Sequence, residues 1–63
     1  MNEVNVERFW DVCDDLNVTV TEDEIRAAYA AYCRKHKLPD NTDLPMGTGK
    51  LFDVVRESLD LRG

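Results

Sequence analysis

The sequence has no apolar run approaching the roughly 20 residues that a membrane-spanning helix needs, and only two cysteines. Its acidic start, MNEVNVERFWD, also lacks the basic and then apolar leader of a secretory signal peptide. These absences set aside a helical membrane protein and a classical secreted one. Cys13 and Cys33 are too few and too far apart to form the dense framework of a small secreted fold, so both are expected as free thiols in a reducing compartment. The chain is therefore read as cytoplasmic. Lysine is scarce as well, three against five arginines, and eight aspartates stand against five glutamates. An acidic, lysine-poor surface is compatible with a high-salt, halophilic archaeal cytoplasm, where screening weakens self-repulsion. There is no internal repeat and no low-complexity segment.

What remains bounds the answer closely. Sixty-three residues make at most one domain, residues 1–63, near the lower limit at which one apolar core folds without metal, disulfide or partner. The 43% hydrophobic content supplies such a core, and 33% charged residues fit a folded soluble chain rather than a disordered one. An elaborate buried active site does not fit this length. The net charge of −5 opposes the phosphate backbone of nucleic acid, whose binding rests on Lys and Arg.

Three segments carry helical periodicity. Val6, Phe9, Trp10, Cys13 and Leu16 fall at offsets of 0, 3, 4, 7 and 10, which is one stripe of a helix. Asn2 or Asn5 can cap its start, and Asn17 with the β-branched Val18-Thr19-Val20 ends it, leaving a short extended piece at 18–20. Thr21-Glu22-Asp23-Glu24 reads as a capping box, reinforced by three acids at the positive end of the helix dipole. The helix it opens places Ile25, Ala28, Tyr29, Tyr32 and His36 on one face and runs to about Leu38 before Pro39 stops it. The turn-rich PDNTDLPMG follows. A third helix starts near Thr48, with Leu51, Phe52, Val55 and Leu59 inward and Asp53, Arg56, Glu57 and Asp60 outward. The expected fold is all-α, a compact three-helix, helix-turn-helix-like domain whose shared core takes Phe9, Trp10, Ile25, Tyr29, Leu51, Phe52, Val55 and Leu59.

The chemistry-bearing motifs are sparse. Cys13, Cys33 and His36 fall one ligand short of a structural zinc site and lack a recognised spacing, and a Cys-His nucleophile pair has little room for a cleft. MGTGK precedes a helix, as a phosphate loop does, but Leu51 stands where Ser or Thr is required and no strand leads into it. Thr48 is the expected N-cap instead, and the helix start with Lys50 can hold one backbone phosphate. The basic run Arg34-Lys35-His36-Lys37 suits a helix C-terminus on dipole grounds alone. On the outer face of the same helix, Arg26, Arg34 and Lys37 flank the small Ala27 and Ala30, where an anionic surface could approach. Residues 22–37 sum to +1, against −4 for residues 1–21 and −2 for 38–63.

VTVTEDEIRAAYAAYCRKHKLP followed by GTGKLFDVVRESL resembles the C-terminal winged-helix modules of phage and plasmid primase-helicases. The shared features are the Val-Thr start, the Tyr-x-x-Tyr-Cys helix, the Leu-Pro exit and a later Phe-containing helix, over about residues 18–59. The resemblance implies helix-turn-helix architecture and nucleic-acid binding in the replication of a mobile element, viral or plasmid. The sequence ends where a wing hairpin would begin, so no complete wing is expected, and it holds no ATPase or primase motif.

The function expected from this reading is a non-enzymatic, nucleic-acid-associated or regulatory protein with no cofactor and no metal. Its candidate nucleic-acid contacts are Arg26, Arg34, Lys37, Thr48, Lys50 and Arg56. The rival is an acidic protein-interaction module, or a mimic of DNA charge, that binds a basic partner through Asp11, Asp14 and Asp15 or Asp53 and Asp60. Partner classes are DNA, another protein or a second copy of the chain, with neither a membrane nor a small-molecule substrate expected.

Overall fold

The computed structural model describes residues 1–62 and contains three helices, α1 (Glu3–Asp15), α2 (Glu22–Lys35) and α3 (Thr48–Arg62). The first two begin where a side chain accepts from one of the free backbone N–H groups of a helix start. The Asn2 side chain accepts from the Asn5 N–H at 2.8 Å and caps α1. The expected capping box opens α2: the Thr21 hydroxyl accepts from the Glu24 N–H, and the Glu24 carboxylate accepts from the Thr21 N–H. At α3 the structure corrects the reading of Thr48 as N-cap. The first helical hydrogen bond runs from the Leu51 N–H to the Gly47 carbonyl, so Gly47 holds the cap position and Thr48 is the first helical residue.

The first two helices end in the same way. The Val18 N–H reaches back to the Cys13 carbonyl and the Asn17 N–H to the Asp14 carbonyl, while Leu38 and Lys37 repeat the pair with Cys33 and Arg34. Both are Schellman closures, which need a left-handed residue just past the helix. Asn17 and Lys37 take that conformation, at φ 59° and 57°. Asparagine tolerates it, whereas lysine carries the full Cβ penalty. The closure also ends α2 at Lys35, short of the expected Leu38.

Residues 18–20 form no strand, and no strand occurs among the described residues. Val18-Thr19-Val20 is a plain connection whose Val20 side chain is buried. The core gathers Val6, Phe9, Val12 and Cys13 from α1, Ile25, Ala28, Tyr29 and Cys33 from α2, and Val55 from α3. Leu44, from the connection between α2 and α3, joins them. Leu51, Phe52 and Leu59 pack against this cluster while half-buried. Trp10 does not belong to it as expected. Its indole N–H donates to the Val20 carbonyl at 3.0 Å, which holds the ring at the rim with 37% of the residue exposed. The cause is chemical, since indole carries a donor that an apolar core would leave unpaired.

The α2–α3 connection is tied down by polar contacts rather than by secondary structure. Arg8 donates to the Leu44 and Pro45 carbonyls, the Asn5 amide to Asp43 at 2.9 Å, and the Tyr29 hydroxyl to the Thr42 carbonyl at 2.9 Å. These contacts set where α3 begins.

Two substitutions test this account. Phe9→Ala, at a fully buried position, should cost about 3–5 kcal/mol in denaturant unfolding, whereas Phe52→Ala, only half-buried, should cost less. Lys37→Gly should raise stability by about 1 kcal/mol by removing the left-handed penalty. A destabilised Lys37→Gly would show that the lysine side chain holds the turn in some other way.

Candidate nucleic-acid interface

The six candidate contacts divide by what the fold asks of them. Arg26, on the second turn of α2, is half-buried and already occupied. Its Nε donates to Glu22 at 2.9 Å and its terminal nitrogen to the Met1 carbonyl at 2.6 Å. It fastens the chain start to α2 and has little left to offer a ligand. Arg34 and Lys37 are exposed at the far end of that helix. Thr48 is exposed on the first turn of α3, and Lys50 is exposed two residues on. Arg56 is exposed on the outer face of α3, with Asp53 and Asp60 three and four residues away along the helix.

The other cations are engaged. Arg8 binds the connection's carbonyls, Lys35 pairs with Glu57 at 3.3 Å, and Arg62 pairs with Glu24. Among the described residues, Arg34, Lys37, Lys50 and Arg56 make no ion pair. One of these, Lys50, lines a cleft of about 370 Å³ at the α2–α3 junction, together with Tyr32 and Leu38. Arg34, Lys37 and Arg56 do not line it.

A second cluster is legible in part from helical phase, which groups Tyr29, Tyr32 and His36 but not Glu57. His36, the C-cap of α2, leaves the core face and donates through Nε2 to Glu57 of α3. Its ring lies 4.4 Å from that of Tyr32, which in turn stacks on Tyr29 at 5.8 Å and 9°. Tyr29 is buried, and desolvation pushes its hydroxyl up to about 12. The His36 hydrogen bond holds the Glu57 carboxyl below its usual range, with Lys35 assisting. The Thr21 backbone N–H does the same for Glu24. Periodicity put His36 on the stripe, but the helix closes one residue earlier and turns it outward.

The rival surface is equally concrete. The exposed ring of Trp10 is bordered on α1 by Glu7, Asp11 and Asp14, which share a shallow hollow with it. Asp15 lies one residue beyond and is exposed. No cation of α1 offsets these carboxylates, because Arg8 turns toward the connection.

Cys13 and Cys33 are free and fully buried, and burial pushes both thiols up, away from the reactive thiolate form. Among the described residues no three His, Cys, Asp or Glu side chains converge as metal ligands, so Cys13, Cys33 and His36 do not form a set. Among the described residues, no helix is long and apolar enough to cross a membrane. Comparison of the chain with protein-family models, curated proteins and solved structures gives no match.

The lowered Glu57 and Glu24 carboxyls predict an acid sensitivity of definite sign. A carboxyl depressed in the folded state contributes stability that is complete above its unfolded value, about 4.3, and is lost as pH falls through the folded value. The thermal midpoint should decline from about pH 5 toward pH 3. Glu57→Gln and Glu24→Gln should each flatten that decline. An unchanged decline in the double variant would assign it to other carboxylates.

Proposed function

We propose that the chain is a small, non-enzymatic, nucleic-acid-associated module of helix-turn-helix type, contacting phosphates through Arg34, Lys37, Lys50 and Arg56. The observation that carries this reading is the division of the cations. Four of the eight are used inside the fold, and the four that remain exposed without ion pairs all belong to the sequence's candidate set. Phosphate recognition requires cations that need not first break a native pair. The resemblance of residues 18–59 to primase-helicase winged-helix modules supports the same reading, with α3 as the helix offered to the groove. Arg26 is withdrawn from the contact set, since engaging a phosphate would cost its bonds to Glu22 and Met1. Thr48 lies on α3's first turn, where its hydroxyl and the free N–H groups can donate to one phosphate.

The second reading, an acidic module for a basic partner, is favoured by one feature, the half-exposed Trp10 among Glu7, Asp11 and Asp14. An aromatic face ringed by carboxylates suits an arginine or lysine side chain.

Salt dependence separates the two. Binding to a DNA duplex should weaken with log salt at a slope of about −0.9 per phosphate contact. Arg34→Ala, Lys37→Ala and Lys50→Ala should each make the slope shallower by about that amount, while Arg26→Ala mainly lowers stability. If the duplex fails to bind even at low salt, and a basic peptide binds in a manner abolished by Trp10→Ala, the acidic module is the correct reading.

A further inference from the structure

The cleft between the end of α2 and the start of α3 carries more than a backbone contact. Tyr32, Leu38, Pro45 and Val54 line it with apolar surface and Lys50 and Asp53 with charge; Tyr29, Thr42 and Asp43 complete the lining, and Asp43 already accepts from the Asn5 amide at 2.9 Å. Lys50 and Asp53 are three apart on α3, where side chains can meet, yet both are exposed and neither forms an ion pair among the described residues. A cation and a carboxylate, both exposed and neither in an ion pair, thus line a largely apolar cleft of about 370 Å³. That volume lies within the range of small-ligand sites. The walls are pre-set. Tyr29 and His36 flank the Tyr32 ring, and Arg8 fixes the carbonyl of Pro45.

A ligand that satisfies all three features needs an anion for Lys50, a flat apolar body for the walls, and N–H donors for Asp53. A nucleotide has this chemistry, and guanine alone among the four RNA bases presents two adjacent N–H donors that a carboxylate can accept together. We propose that this cleft captures one unpaired guanine nucleotide, its phosphate on Lys50 and its Watson–Crick edge on Asp53. The inference rests on the nucleic-acid reading and narrows it to single-stranded or extruded guanine.

The test titrates the full chain with guanosine, adenosine, cytidine and uridine 5′-monophosphates and follows backbone amide resonances. Guanosine monophosphate should bind tightest and shift Tyr32, Leu38, Lys50 and Val54. Asp53→Asn should remove the guanine preference, a loss of about tenfold for that nucleotide alone, as expected for one two-bond contact. Lys50→Ala should weaken all four nucleotides alike. Both side chains are exposed, so neither variant should disturb folding, which the unchanged resonances of Phe9 and Val55 would verify. Equal binding of the four nucleotides, or no shifts in the cleft, overturns the proposal. So does tighter binding of N-acetyl-arginine amide than of guanosine monophosphate, which would make the cleft a receptor for a cationic side chain. Salt-dependent duplex binding with no guanine preference sinks the cleft proposal alone. Guanosine binding in a chain that ignores duplex DNA sinks the groove-binding reading and retains the nucleotide site.

Discussion

The contact on which the arrangement most depends is that of Arg8 with the carbonyls of Leu44 and Pro45. Three short helices can bury their stripes against each other, but the segment from His36 to Gly47 has no partner strand to accept its polar backbone. A guanidinium offers five donors in a rigid fork, and here it serves two consecutive carbonyls of that segment. With these carbonyls satisfied, Leu44 can occupy the core as a loop residue that is only 2% exposed. The same anchoring sets the wall of Pro45 and the start of α3. Core, connection and cleft therefore share one electrostatic fastening, supported by Asn5 and Tyr29.

The sequence made the helices legible wherever a periodic stripe met a capping signal. The capping box at Thr21 is the clearest case, because its two hydrogen bonds are local and need no tertiary information. Trp10 lay beyond that kind of reading. Helical phase placed it on the inner stripe, but the acceptor for its indole N–H is a carbonyl ten residues away. Leu44 and Val20 were missed for a related reason, since neither belongs to a periodic segment and both owe their burial to how the helices meet. At the candidate site, the exposure of Arg34 and Arg56 followed from helical phase, whereas Lys37 is exposed because it lies in the left-handed turn beyond α2. The capture of Arg26 did not follow from phase, because the Met1 carbonyl that holds it is brought close only by the fold.

The charges are divided by element as well as by number. α1 contributes five carboxylates and no free cation, while every uncommitted cation lies on α2, on α3 or just past the end of α2. In the proposed complex the phosphates meet the free cations on and just past α2 and on α3, and α1 supplies none of the contacts. Its field then opposes other modes of docking on the same duplex. An acidic protein can in this way restrict the orientation in which it binds an acidic polymer, at some expense of affinity. Like-charge repulsion from α1 would also disfavour close packing of neighbouring copies along one duplex.

The matched helix endings have a consequence for reactivity. Cys13 and Cys33 each occupy the third-last position of their helix, and each lends its carbonyl to the closing turn. Both sulfurs are wholly covered, and both thiols are held in the unreactive form by burial. An alkylating reagent can reach either one only after its helix end has opened, so the rate of labelling at each position measures that opening. The chain thus contains two native reporters, one for each closure, that can distinguish local fraying of α1 or α2 from unfolding of the whole domain.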